Sequence, residues 1–472
     1  MRAFSVSAFK GLDTRLATEI ADPQTARVAK NVYLSKGRTW KTRPGSRKIL
    51  DVPPESRGLY AVDGVLRAVA PQGNAALWAY QRPNFWLDFV EGSDAIDEYI
   101  DAEIYGVPSA ASGAQPYLAI RRGNQVQHHW VKSRLDNPGD AEVTRVFPGF
   151  VPSGGLIKLA QKIFALDNSR GAVRFSSTAF GPDNWTEELD AGILPVQQHG
   201  TGDLQVRALG IFQGRLVVFF DSQIQIWAVD PQPENFFLVE TMNGPGTAAP
   251  ALVEAVLGDI FFFSRGGFRS LTTQRITGET LEGDIGAPIA SLTDRLDPAT
   301  ATHGVWWQRL SLYVAAFGSQ CFVFTYDRAN KVTGWAEWEF PFEVERFVVV
   351  GDRLYARSRD AVYEISDYLL TDDNGADIEW EWQSQHQHLN SPGTLKNFHA
   401  LTLNQSGDCT VSMASDPGRP SFISPVYNTS GVTVPWQKIP FPTVSTAVSV
   451  ALSGKGQWQL DGFTLHFNPL GV

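Results

Sequence analysis

The 472-residue chain is 43 % apolar and 12 % aromatic with only 19 % charged residues, which supplies a large core and excludes wholesale disorder. Its net charge of −10 has the wrong sign for a protein that grips nucleic acid by neutralising phosphates. The opening Met1-Arg2-Ala3-Phe4-Ser5-Val6-Ser7 has no apolar signal core, no run approaches the roughly 18 apolar residues of a membrane span, and Cys321 and Cys409 match no zinc spacing. Two buried free thiols, in a chain folded in a cytoplasm, are therefore expected.

Aromatic and β-branched runs broken by 42 Gly and 28 Pro predict strands and tight turns throughout. Residues 1–50 are expected to form an extended segment that pairs with a platform or with the sheets that follow. From 51 to 370 one unit recurs: a short apolar strand, a turn of Gly, Asp, Asn, Lys or Arg, and a second apolar strand. Instances fall at 62–66, 118–126, 159–165, 209–219, 255–263, 305–313 and 347–355. The turn positions Lys162, Arg215, Asp259, Arg309 and Arg353 lie about 44–53 residues apart, the length of a propeller blade of about four strands. A further strand follows the hairpin at 222–227, 320–326 and 361–365. The expected fold is all-β: a β-propeller of about six to eight blades, its exposed edges limited by ring closure. A β-sandwich or β-helix would also space strands this way, but the unit is longer than a single hairpin.

Two segments break the repeat. An insertion near 81–115 carries Ser93 as a helix cap and Ile96, Tyr99, Ile100 and Ile104 at helical spacing, so a short acidic helix is expected. Its Asp94, Asp97, Glu98, Asp101 and Glu103 are the candidate channel or docking residues. At 371 the turn signal Asp372-Asp373-Asn374-Gly375 opens a separate small antiparallel β-domain, 371–472, with alternation at Thr410-Val411-Ser412-Met413 and Thr464-Leu465-His466-Phe467.

Candidate chemistry is thin. Val173-Arg174-Phe175-Ser176-Ser177 followed by Gly181-Pro182-Asp183-Asn184-Trp185 resembles the Asp-box turn of sialidase-type propellers, a folding element, without its first carboxylate. Asp372, Asp373, Asn374 and Asp377 lack the further oxygen ligands and bidentate Glu of a calcium loop, and Asn-Gly is a common hairpin turn. His386 and His388 share a strand face that His399 could join, yet no carboxylate or Cys stands at a ligand spacing. Glu379 and Glu381 face one side with Trp380 and Trp382 on the other; this is a glycosidase pair or plain amphipathic alternation, and the second is expected. No nucleophile elbow, Walker loop or His-Glu-x-x-His occurs. The expectation is no enzyme, no cofactor and no metal.

The stretch Asp22-Pro23-Gln24-Thr25-Ala26-Arg27-Val28-Ala29-Lys30-Asn31-Val32-Tyr33, then Gly37-Arg38 and Lys41-Thr42-Arg43-Pro44-Gly45, resembles the opening of phage tail structural proteins. The later order is similar to tail nozzle (packaged-DNA stabilisation) proteins of short-tailed, P22-like and T7-like, bacteriophages. The matching elements are the 210–227 hairpin and strand, Ala287-Pro288-Ile289, the 304–327 strands, Gly334-Trp335-Ala336-Glu337-Trp338, and a tail from Lys396-Asn397-Phe398 to Asp461-Gly462-Phe463-Thr464. The acidic insertion departs from that pattern. The resemblance implies a virion tail protein, folded in the host cytoplasm, that forms a homohexameric ring below the portal and adaptor. Such a ring prolongs and closes the exit channel, retains packaged DNA, lets double-stranded DNA pass without tight binding, and offers a side surface to tail fibres or spikes. Trp306, Trp307, Trp380 and Trp382 are candidate anchors of the ring interface, or else core. The alternative is a propeller-type receptor- or glycan-binding tail module, which includes a depolymerase; a stand-alone cytoplasmic scaffold propeller is the third reading.

Overall fold

The computed structural model describes residues 2–15, 21–52, 57–62, 65–72, 74–80, 85–89, 105–109, 113–122, 125–130, 142–148, 155–167, 171–178, 185, 190–199, 205–244, 246–277, 284–359, 361–389, 391–415, 423–434 and 437–470. In the strands between 57 and 148, Leu59 and Leu66 apart, and at 423–426, the description is of the backbone alone. Strands dominate, and α-helix among the described residues is confined to Leu271–Thr277 and Ala290–Thr293. None of the described helices is long and apolar enough to cross a membrane.

Between 57 and 366 the chain forms antiparallel meanders one after another. The four-stranded units run from Arg57–Val62 to Phe85–Phe89, from Tyr105–Ser109 to Glu142–Pro148, from Ile157–Leu159 to Gly192–Leu194, and from Val206–Phe212 to Phe237–Asn243. A three-stranded unit of Ala249–Val256, Asp259–Ser264 and Gly267–Ser270 follows. Next come His303–Trp307, Leu312–Phe317, Gln320–Asp327 and Val332–Glu339. The last unit is Arg346–Val350, Arg353–Ser358 and Ala361–Ser366, whose fourth strand is Gly45–Asp51 from the start of the chain. Each hairpin expected from the sequence is present. Six of them are the first hairpin of their unit, and 118–126 is the second of its own.

The two-residue turns explain the register. Gln213 and Gly214 have φ of 51° and 75°, and Leu257 and Gly258 have 48° and 82°. Left-handed conformations at both turn positions give the twist that continues into a right-twisted strand pair. The first strands of successive units then lie against one another: Val206–Phe212 touches Ala249–Val256, which touches His303–Trp307, then Arg346–Val350, then Arg57–Val62. Gly304 permits one of these approaches, because a Cβ there would sit 3.0 Å from Leu252 Cα. Apolar layers fill the spaces between units, as with Ala208, Val217, Phe219, Ile260 and Phe262.

The C-terminal strands build on the N-terminal segment. Ala26–Lys30 inserts between Val332–Glu339 and Glu379–Ser384, so one nine-stranded sheet runs on through Val448–Lys455, Cys409–Ser415 and Ile423–Thr429. Val32–Leu34, Trp40–Thr42, Gln459–Pro469 and Lys396–Ser406 head a second sheet, to which Arg2–Ser7 adds by pairing with Gln459–Pro469. Phe9, Trp40, Trp380, Trp382, Phe398, Trp458, Phe463 and Leu465 belong to one apolar core here.

Gly45 opens the strand that completes the last unit, and its N–H donates to Leu369 O at 2.8 Å. A Cβ there would fall 2.1 Å from Thr371 O and 2.7 Å from Leu369 O. Backbone atoms cannot swing aside as a flexible side chain can, so Gly45→Val is expected to cost at least about 2 kcal/mol. Urea unfolding of the two proteins tests this, and equal midpoints would contradict it.

Candidate functional site

The Asn31 and Arg43-Pro44-Gly45 signature lies where the N-terminal segment, the repeat region and the C-terminal strands meet. Asn31 turns the chain between Ala26–Lys30 and Val32–Leu34 with a left-handed backbone (φ 54°), a conformation that Asn tolerates better than most residues. Its N–H donates to Glu337 O at 2.7 Å, and its Nδ2 donates to Glu379 O at 2.8 Å. Its Oδ1 accepts from Glu339 N–H at 2.8 Å and from Arg43 Nε at 3.1 Å. Arg43 is buried and spends its whole fork. Nη1 and Nη2 donate to the two carboxylate oxygens of buried Asp372 at 2.9 and 2.5 Å, and also to Pro44 O and Glu339 O at 3.0 and 3.1 Å. Ser46 Oγ donates to Asp372 Oδ1 at 2.8 Å, and the Phe340 ring lies 4.8 Å from the guanidinium carbon. A lysine could not reproduce this planar, bidentate arrangement.

Asp372 is thus an ion-pair partner, and Asp373-Asn374-Gly375 is a turn with Asn374 and Gly375 at φ 61° and 76°. Among the described residues no three His, Cys, Asp or Glu side chains are grouped to hold a metal. Glu379 is exposed and pairs with Lys455 at 2.6 Å, while Trp380 and Trp382 point into the core. Of the two readings of the four tryptophans, interface anchor or core, burial decides for core at Trp307, Trp380 and Trp382 and corrects the anchor reading there. Trp307, Trp380 and Trp382 are at most 1 % exposed and Trp306 is only partly so, because each packs on neighbouring strands of its own chain. Trp380, for one, stacks on Trp458 with centroids 4.1 Å apart. His386 is buried, and His399 Nε2 is engaged by Asn468 Nδ2 at 2.9 Å. Both cysteines are free and buried, and burial pushes the Cys409 thiol up to about 11. The acidic candidates Asp94, Asp97, Glu98, Asp101 and Glu103 lie outside the described residues.

Of the Asp-box-like stretch, Gly181-Pro182-Asp183-Asn184 lie outside the described residues, and the first half, 173–177, is pinned by hydrogen bonds. Buried Lys162 donates to Ser176 O (3.2 Å), Asp190 O (2.7 Å) and Asp190 Oδ2 (3.1 Å), while Ser177 Oγ donates to Asp190 Oδ1. Arg174 and Asp167, both buried, pair at 2.8 Å. These contacts tie the second and third strands of one unit to Asp190, just before its fourth strand.

One polar constellation was invisible in the sequence. Where first strands meet, Glu254 Oε1 accepts from Trp306 N–H (3.1 Å), His303 Nδ1 accepts from Phe347 N–H (3.4 Å), and Arg346 Nε donates to Leu59 O (3.0 Å). Each bond steps from one unit to the next. Burial pushes Glu254 up to about 7 against the opposing pull of Trp306 N–H and Arg346, and burial followed by Arg346 holds His303 well below its ordinary value. Tyr313, buried beside Glu254, is driven well above the phenol range and donates to Leu252 O at 2.7 Å. No local motif marks these residues, since they come from three separate hairpins.

Clefts among the described residues include two of note. One of about 600 Å³ is walled by Phe175, Trp227, Phe236 and Phe237 with His199 and Glu234 at its rim. The other, of about 270 Å³, lies beside the junction between Tyr33, Lys41, Asp367, Gln457 and Trp458. Each has a single carboxylate, whereas glycoside hydrolysis calls for two.

No family model matches the chain, and no curated protein matches it. Solved structures do. A chain of the mitotic checkpoint complex is 12 % identical over 69 % of this chain and 94 % of its own, with a TM-score of 0.42. A chain from BBS1N in complex with ARL6DN is 12 % identical over 69 % and 97 %, with a TM-score of 0.39. One from the Chaetomium thermophilum Nup170 NTD–Nup53 complex is 12 % identical over 76 % and 64 %, with a TM-score of 0.42. Likeness at this level supports no argument about what the chain does.

Removing one partner of a buried ion pair strands the other, so Arg43→Ala is expected to lose about 3–5 kcal/mol. Arg43→Lys should recover less than half of that loss, because the three N–H groups of an ammonium cannot serve the five acceptors that the guanidinium fork reaches. In a double-mutant cycle with Asp372→Asn, read by urea unfolding, coupling of about 2 kcal/mol or more is expected. Additivity within about 0.5 kcal/mol would show that the pair does not join the segments.

Proposed function

We propose that this chain is a structural, non-catalytic virion protein, the subunit of a tail nozzle ring in a short-tailed bacteriophage. In this reading six copies close around the axis below the head-to-tail adaptor, extend and narrow the DNA exit channel, and retain packaged DNA until ejection. The meanders from 57 to 366 are the blades of a propeller. Seven such units follow in chain order, and Gly45–Asp51 supplies the outer strand of the last, which is how a propeller closes its ring with a strand from the other end of the repeat.

The observation that carries the reading is the junction. Asn31 and Arg43-Pro44-Gly45, part of the opening that resembles phage tail structural proteins, are residues that tie the repeat region to the C-terminal strands. A subunit that bears the pressure of packaged DNA needs its parts held without a hinge, and a buried bidentate pair does this. The acidic balance of −10 suits a conduit, because phosphates meeting carboxylates find no place to stick. A closed ring uses a heterologous contact between neighbouring copies.

Electron microscopy of the purified protein mixed with its adaptor, and of tails, tests the proposal by counting copies around the axis. Six-fold rings at the distal tail are the expected result. A monomer or trimer that never joins the tail axis overturns it. Cleavage of capsular polysaccharide by such a particle would favour the receptor-binding or depolymerase reading instead.

A further inference from the structure

The seam formed by Glu254, His303 and Arg346 joins the first strands of four neighbouring units through side-chain to backbone hydrogen bonds. The seam brings together a carboxyl group that changes charge near neutral pH, a neutral imidazole and a guanidinium. The described groups around them are Tyr313, whose hydroxyl is committed to Leu252 O, and Arg357, which stands opposite Arg346 in the strand pair and reaches Glu345 at 3.4 Å. The imidazole acts as an acceptor at Nδ1. Once that nitrogen carries a proton it can only donate, and it then faces the Phe347 N–H. The added positive charge would also stand beside Arg346.

We propose that this seam is an acid-operated latch: protonation of His303 opens the joint between the strands His303–Trp307 and Arg346–Val350 while the Glu254–Trp306 joint stays closed. The Glu254 joint persists because a carboxyl group keeps a carbonyl oxygen that accepts from Trp306 N–H in either protonation state.

The two titrations act with opposite sign on stability. His303 is held low in the folded state, so below about 6.5 the unfolded chain binds more protons and stability is lost as the pH falls. Glu254 is held high, so between about 4.3 and 7 the folded chain binds more protons and stability is lost as the pH rises. Acidification therefore relieves one joint and strains its neighbour. It also neutralises Glu254, an anion within electrostatic reach of Arg346, before the imidazole takes up its charge. The inference rests on the seam alone and holds whatever the partners of the chain are.

Hydrogen exchange at single-amide resolution, corrected for the intrinsic pH dependence of exchange, tests it on the wild-type chain. Between pH 7.5 and 5 the protection of the Phe347 amide is expected to fall by about tenfold or more, with that of Trp306 unchanged. In His303→Gln, whose side-chain oxygen can accept from Phe347 N–H but does not titrate, the fall should vanish. Constant protection at Phe347, equal loss at both amides, or a fall that survives in His303→Gln each overturns the latch. If the variant does not fold, the contrast between the two wild-type amides still decides.

Discussion

The structure turns on one buried ion pair. Arg43 and Asp372 come from opposite ends of the repeat region, 329 residues apart, and meet with both carboxylate oxygens engaged. Two charges withdrawn from water are tolerated only when every donor and lone pair finds a partner, and here Asn31, Pro44, Ser46 and Glu339 supply the rest. That requirement fixes the geometry around it. Asn31 must take a left-handed turn for its side chain to reach both Glu379 O and Glu339 N–H, and Gly45 must lack a side chain for the next strand to pass Leu369 and Thr371.

From that point the two halves of the molecule follow. Gly45–Asp51 runs on to complete the last meander, while Ala26–Lys30, just before the turn, joins the repeat region to the C-terminal strands in a single nine-stranded sheet. Trp380, Trp382 and Trp458 then close the core beneath. Trp307, Trp380 and Trp382 are thus consumed within the chain, which leaves them nothing to offer a contact between copies.

The seam among the first strands obeys a different logic. At the junction the charges are paired and insulated; at the seam burial holds a carboxyl and an imidazole away from their ordinary values, with Arg346 opposing the shift of the carboxyl and adding to that of the imidazole. Rigid attachment of segments and a proton-sensitive contact between units are therefore separate devices, built from different side chains.

The sequence by itself determined the strands, their turns and the recurring unit, because period-two alternation and turn residues are local properties. The hairpins at 209–219, 255–263 and 347–355 could be read directly for that reason. It also marked Asn31 and Arg43-Pro44-Gly45, and it read Asp372-Asp373-Asn374-Gly375 as a turn and Glu379 as surface, since Asn-Gly chemistry and strand alternation leave little choice. Only the tertiary structure decided what those residues join. That Arg43 meets Asp372, that Gly45–Asp51 pairs with Ala361–Ser366, and that Glu254, His303 and Arg346 line one seam are contacts between distant segments. Burial and hydrogen bonding across such separations leave no periodic trace in the chain, because they depend on which units come to lie side by side.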